Sequence, residues 1–153
     1  MHIETLPGVG AEITGVDLRK VTDREFDAIR AAYADHGVIF FRDQDMSVEQ
    51  HKTFAGLFGE FHIHPAFGEG APGHPELLIF HVDENTKHPA GTFGWHSDVS
   101  ADAEPPMGSI LYLIEVPSTG GDTLFASMYA AYDKLSDTMQ RFLSGLTAVH
   151  ASD

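Results

Sequence analysis

Two helix starts of the same kind, with one apolar run between them, limit what this chain can fold into. Thr22-Asp23-Arg24-Glu25 fits a capping box, in which the Thr22 hydroxyl and the Glu25 carboxylate satisfy orphan backbone donors. Phe26, Ile29 and Tyr33 then recur at helical spacing, and Gly37 tolerates the left-handed conformation that ends a helix. The pattern predicts a helix over 23–36. Val38-Ile39-Phe40-Phe41 reads as a buried strand. After a polar turn, Ser47-Val48-Glu49-Gln50 repeats the capping box. Phe54, Leu57 and Phe58 supply the buried face of that helix, and Gly59 its stop.

The rest of the chain is more broken. Residues 1–21 read as an extended segment with a short strand from Ala11 to Val16. Leu77 to Val82 and Gly108 to Val116 have strand composition, and a strand begins at Asp122 to Ala126. Glycine- and proline-rich loops separate them. Ser127 is placed to cap a helix through Ala130, Ala131, Tyr132 and Leu135. Ser136 is placed to cap another, with Met139, Phe142, Leu143 and Leu146 on one face. Helices early, strands in the middle and helices at the end predict a mixed α/β (α+β) fold with mostly antiparallel strands. Long loops between strands favour a sandwich or jelly-roll barrel over repeated βαβ units.

Composition excludes several classes of function. Nine basic against 23 acidic residues give a net charge of −14. Such a surface repels phosphate backbones and anionic headgroups, so neither nucleic acid nor membrane is an expected partner. There is no cysteine, which removes disulfides, thiolate zinc sites and cysteine nucleophiles. Any metal must sit on nitrogen and oxygen, and ten histidines supply the nitrogen. No secretory signal or membrane-spanning run is visible, so a cytoplasmic location is expected.

Gly94-Trp95-His96-Ser97-Asp98 is the stretch with chemistry. In a strand, residues two apart share a face, so His96 and Asp98 would point together while Ser97 points away. An imidazole and a carboxylate are two of the three ligands of the facial triad of non-haem Fe(II) oxygenases. Spacing alone also fits a partly buried histidine beside an ordinary surface aspartate. A zinc-hydrolase or metal-storage reading lacks an H-E-x-x-H array or its like.

Trp95-His96-Ser97-Asp98 is followed by Pro105-Pro106-Met107-Gly108-Ser109-Ile110-Leu111. Then come Gly120-Gly121-Asp122-Thr123-Leu124-Phe125-Ala126-Ser127 and Ala130-Ala131-Tyr132 with Leu135-Ser136. In that order these motifs resemble the taurine dioxygenase (TauD/TfdA) family of Fe(II)- and 2-oxoglutarate-dependent oxygenases. Val38-Ile39-Phe40-Phe41-Arg42-Asp43-Gln44 and Phe58-Gly59-Glu60-Phe61-His62-Ile63-His64-Pro65 extend the likeness upstream. The resemblance implies part of a double-stranded β-helix (a cupin-like jelly roll) with flanking helices. It implies Fe(II), 2-oxoglutarate and O2 as cofactor and cosubstrates, and hydroxylation of a small anionic substrate.

Residue by residue, the resemblance gives His96 and Asp98 as iron ligands and Thr123 as a donor to the distal carboxylate of 2-oxoglutarate. It gives His64 as a contact to the substrate's anionic group, a residue that otherwise reads as a solvated loop histidine. Val99 matches a residue at the mouth of the site. Phe67 stands where the family's taurine-binding member has a tyrosine, and Thr92 roughly where it has an asparagine. Losing a phenol and an amide removes hydrogen-bond partners for a sulfonate, which argues against taurine itself. Another sulfonate, a carboxylate or a more apolar substrate stays open.

The resemblance also implies that residues 1–153 are a single domain comprising the N-terminal part of a longer dioxygenase domain. The family's third ligand, a histidine, and an arginine that pairs with 2-oxoglutarate would match positions beyond Asp153. His150 falls at a helix end in the match, and His81 is not at a ligand position. The chain alone is therefore expected to bind Fe(II) weakly and to turn over only when complemented. Strand edges left uncovered would favour a homo-oligomer or another interaction partner.

Overall fold

A computed structural model of the chain describes residues 1–63, 70–83, 85–86 and 94–151. They divide into two compact units, one of residues 1–59 with 112–148, the other of 60–111 with 149–153.

The first unit carries all the named strands and helices. Strand β1 (His2–Thr5) pairs antiparallel with β2 (Ala11–Thr14), and β2 pairs parallel with β3 (Ile39–Phe41). Helix α1 (Asp23–His36) bridges the parallel pair, as a parallel connection requires. Alternation in β2 is plain: Ala11 and Ile13 are buried, while Thr14 faces out. Gly10, at φ +98°, leads into this strand where a Cβ would lie 2.9 Å from a Val38 side-chain carbon. Only glycine fits there.

Helix α1 begins and ends where its sequence says. Thr22 and Glu25 form the reciprocal capping box, and Gly37 at φ +75° closes the last turn onto the Tyr33 carbonyl. Helix α2 (Val48–Gly56) starts with the second box, Ser47 with Gln50. It ends three residues before Gly59, and Leu57 is exposed rather than buried. The core collects Ile13, Leu18, Ile29, Ala32 and Phe54, with Ile3, Val16, Val21, Ile39, Phe41, Met46 and Phe58 packed around them. Phe54 meets Phe41 and Phe58 edge-on, and Phe26 meets Phe58 the same way.

Gln44 knits the loops above this core. Its side chain accepts from the Leu18 N–H and donates to the carbonyls of Val16 and Arg42. Tyr112 joins the later segment to the same place, donating to the Gln44 carbonyl and accepting from the Met46 N–H. Helices α3 (Met128–Asp133) and α4 (Asp137–Leu143) are capped by Ser127 and Ser136, leaving Leu135 and Leu146 outside them.

The predicted strands at 77–82, 108–116 and 122–126 are not formed; these segments are irregular. Their composition favours β structure, but a strand exists only when another strand takes its hydrogen bonds. Among the described residues no such partner pairs with them. Mostly antiparallel pairing likewise holds only for β1 with β2. In the second unit, the described residues form turns and a single antiparallel bridge between Ala71 and His74. No helix among the described residues is long and apolar enough to cross a membrane.

Two carboxylates of the first unit tie its stability to pH. The Arg19 guanidinium, bonding in two places, and the Arg19 backbone N–H hold Asp17 well below the usual carboxylate range. The Thr22 backbone N–H and then its hydroxyl lower Glu25. Their folded pKa values lie below their unfolded ones. Their contribution is thus complete above the unfolded value, about 4, and is lost as pH falls toward the folded values. Urea unfolding followed by circular dichroism is expected to show a lower midpoint at pH 3 than at pH 5.5. The drop should shrink in Glu25→Gln, which keeps the box without the titration.

Candidate metal centre

The metal-ligand candidates stand in the second unit, on an irregular segment rather than the expected strand. Gly94, at φ +88°, bends the chain, and Asp98 to Ser100 form a turn. Strand alternation is thus not what brings the two side chains together. They converge through local bonds instead.

His96 Nδ1 lies 3.2 Å from the Gly94 carbonyl oxygen. A carbonyl only accepts, so Nδ1 carries a proton, and in the neutral ring Nε2 presents a lone pair. That lone pair faces Asp98 Oδ1 at 3.3 Å. The other carboxylate oxygen, Oδ2, accepts from the Ser109 hydroxyl at 3.0 Å. Each side chain is therefore held by its far atom and offers its near atom. Two acceptors facing each other at this distance call for a cation between them, either a proton on the ring or a metal ion.

The geometry fits a metal. Two donors each about 2.1 Å from one ion and adjacent on it lie roughly 3 Å apart. One imidazole nitrogen and one carboxylate oxygen form the mixed set that suits Fe(II). Both side chains are about half exposed, at 53% and 58%, so the pair is open to solvent and to further ligands. Among the described residues no third histidine, aspartate or glutamate joins it. His81 and His150 are exposed and belong to no such group.

Val99 follows Asp98 at φ +50°. A β-branched residue in the left-handed region is strained, by about 1–2 kcal/mol. The Asp102 N–H closes this turn on the Val99 carbonyl at 3.1 Å. The Asp102 carboxylate in turn meets His62 Nε2 at 2.9 Å. Sequence reasoning missed Ser109, His62 and Asp102 as parts of this site. Ser109 lies 11 residues from Asp98, and His62 lies 40 from Asp102, so no local spacing links them.

Thr123 belongs to the first unit, exposed on an irregular stretch after Gly120 and Gly121, both at positive φ. His64, Phe67 and Thr92 lie outside the described residues.

The family model for the taurine catabolism dioxygenase TauD, TfdA family matches residues 2–153. The alpha-ketoglutarate-dependent sulfonate dioxygenase of Saccharomyces cerevisiae is 36% identical over 95% of this chain and 38% of its own length. The (S)-phenoxypropionate/alpha-ketoglutarate-dioxygenase of Sphingobium herbicidovorans is 33% identical over 93% of this chain and 50% of its own. Among solved structures, a taurine dioxygenase from Burkholderia xenovorans aligns with a TM-score of 0.76 at 36% identity. That alignment covers 94% of this chain and 51% of the other. The chain thus spans about half or less of the length of each of these proteins. Matched by the family model along nearly its whole length, the chain belongs to the taurine catabolism dioxygenase TauD, TfdA family.

Proposed function

We propose that this chain holds iron(II) and 2-oxoglutarate for the hydroxylation of a small organic anion, as part of a 2-oxoglutarate-dependent dioxygenase. The observation that carries the reading is the facing pair, His96 Nε2 and Asp98 Oδ1 at 3.3 Å. Bound iron, with 2-oxoglutarate and O2, would supply hydroxylation coupled to oxidative decarboxylation of 2-oxoglutarate to succinate and CO2. The protein's own residues bind and orient. Gly94 fixes the His96 tautomer, and Ser109 fixes the Asp98 carboxylate. Thr123 donates its hydroxyl to the distal carboxylate of 2-oxoglutarate. His64 meets the substrate's anionic group, and Phe67, Thr92 and Val99 shape the rest of its site.

The relatives' names support an anionic substrate: one names a sulfonate, one phenoxypropionate, which is a carboxylate, and one taurine, itself a sulfonate. Phe67 and Thr92 offer less hydrogen bonding than a phenol and an amide, so the reading favours an anion other than taurine. Residues 1–153 belong to a single domain of the double-stranded β-helix class. The acidic surface fits a cytoplasmic enzyme with neither nucleic acid nor membrane as partner.

Calorimetric titration of 2-oxoglutarate into the chain, with and without Mn(II) in place of iron, tests the reading. Binding is expected only with the metal, and Thr123→Val should weaken it roughly tenfold or more, the value of a hydrogen bond to a charged group. Metal-independent binding, or full affinity in Thr123→Val, would count against the assignment.

Exposed apolar side chains favour a second property, self-association. Ile114 is 88% exposed, Tyr129 87% and Leu124 72%. Apolar side chains left this exposed favour contact between chains. Light scattering on the purified chain is expected to report a dimer or larger; a monodisperse monomer at high concentration would overturn this.

A further inference from the structure

We propose that His62 and Asp102 form a latch that positions Asp98 for the metal by holding the strained turn after it; this rests on the reading of His96 and Asp98 as ligands. Asp98 is the first residue of that turn. Its side chain is more than half exposed, so packing does little to aim it. Its direction depends on the Ser109 hydroxyl and on the path of its own backbone. That path runs into Val99 at φ +50°, a conformation that persists only when the surroundings impose it.

Asp102 imposes it from two sides. Its backbone N–H bonds the Val99 carbonyl at 3.1 Å. Its carboxylate accepts from His62 Nε2 at 2.9 Å, and both partners are partly buried. A carboxylate only accepts, so this ring nitrogen is the donor. The bond spans 40 residues and anchors the turn to the segment around His62. A turn closed by one backbone bond alone could let Val99 relax to negative φ, and Asp98 would swing with it. With the latch shut, the Val99 carbonyl and Asp102 are tied to the His62 segment, which resists relaxation of Val99. Strain at Val99 is thus the element through which the latch acts on the ligand, and His62 and Asp102 are positioning residues that need not touch the ion.

Mn(II) titration of the full chain, together with amide hydrogen exchange of the metal-free chain, tests the latch. His62→Ala and Asp102→Ala are each expected to weaken Mn(II) binding about 10–100-fold, as loss of outer-shell support does. The double variant should bind no worse than either single one, because the two residues act as a unit. His62→Gln, which restores a donor, should recover most of the affinity. In a Val99→Gly background, where positive φ carries no strain, the loss on removing Asp102 should shrink below about threefold. The Asp102 amide should exchange faster in metal-free His62→Ala. Unchanged Mn(II) affinity in the single variants, additive losses, or an equal loss in the Val99→Gly background would overturn the latch. His96→Ala separates the two ideas. If it binds Mn(II) like the parent chain, the metal assignment fails; if it loses the ion while His62→Ala keeps it, only the latch fails. An unaltered exchange rate at Asp102 would reject the latch whatever the metal does.

Discussion

His96→Ala is expected to reduce divalent-metal affinity by more than about 100-fold, the upper range for losing a group that only supports a ligand. Nε2 is the nitrogen that faces Asp98, and no third metal-ligating side chain joins the pair among the described residues. With two donors, the removal of either leaves a lone monodentate contact on an exposed surface. Asp98→Ala should therefore do as much damage as His96→Ala. Ser109→Ala should do less, since the carboxylate stays and loses only the hydroxyl on its far oxygen. Ser97→Ala should leave affinity unchanged. Mn(II) binding followed by calorimetry or electron paramagnetic resonance ranks the four variants. Equal affinity across the series would show that the ion binds elsewhere.

Ile29→Ala is expected to cost about 2–5 kcal/mol of stability, the range for emptying a buried aliphatic site. Ile29 is fully buried on the inner face of α1, in the cluster with Ile13 and Phe54. Its neighbours come from the sheet, from both early helices and from the turn at Leu18, so they cannot all close on the void together. Small domains hold only about 5–15 kcal/mol in total, so this single change should remove a large share. Ile114→Ala provides the contrast: at 88% exposure it should shift stability by no more than about 0.5 kcal/mol. Urea midpoints from far-UV circular dichroism measure both. A loss at Ile29 no larger than at Ile114 would mean that the cluster is not the core.

What could be read from the chain in advance follows the range of the interaction. Both capping boxes form as expected, since each is a hydrogen-bond exchange across three residues. The end of α1 is equally local, because Gly37 alone sets it. Gly59 misled, because α2 stops at Gly56 without needing a left-handed residue at its cap. The segments at 77–82, 108–116 and 122–126 look like strands by composition, yet pairing is a property of two segments and neither one states it. Strand β1 shows the reverse: His2–Thr5 reads only as part of an extended segment but finds β2 beside it. At the site, proximity of His96 and Asp98 was legible, but through the wrong cause. Strand alternation was expected; a bonded tautomer and a turn do the work. Ser109, His62 and Asp102 left no signal, since their partners are distant in sequence.

Every side chain of the hydrophobic cluster and its packed rim falls between Ile3 and Phe58. Contacts that close over short stretches of chain form early and fast. During synthesis this nucleus can condense as soon as Phe58 clears the ribosome, with the histidine–aspartate pair still untranslated or inside the exit tunnel. The histidine–aspartate segment would then be made after that nucleus has folded, and errors in shaping it need not cost the nucleus its fold.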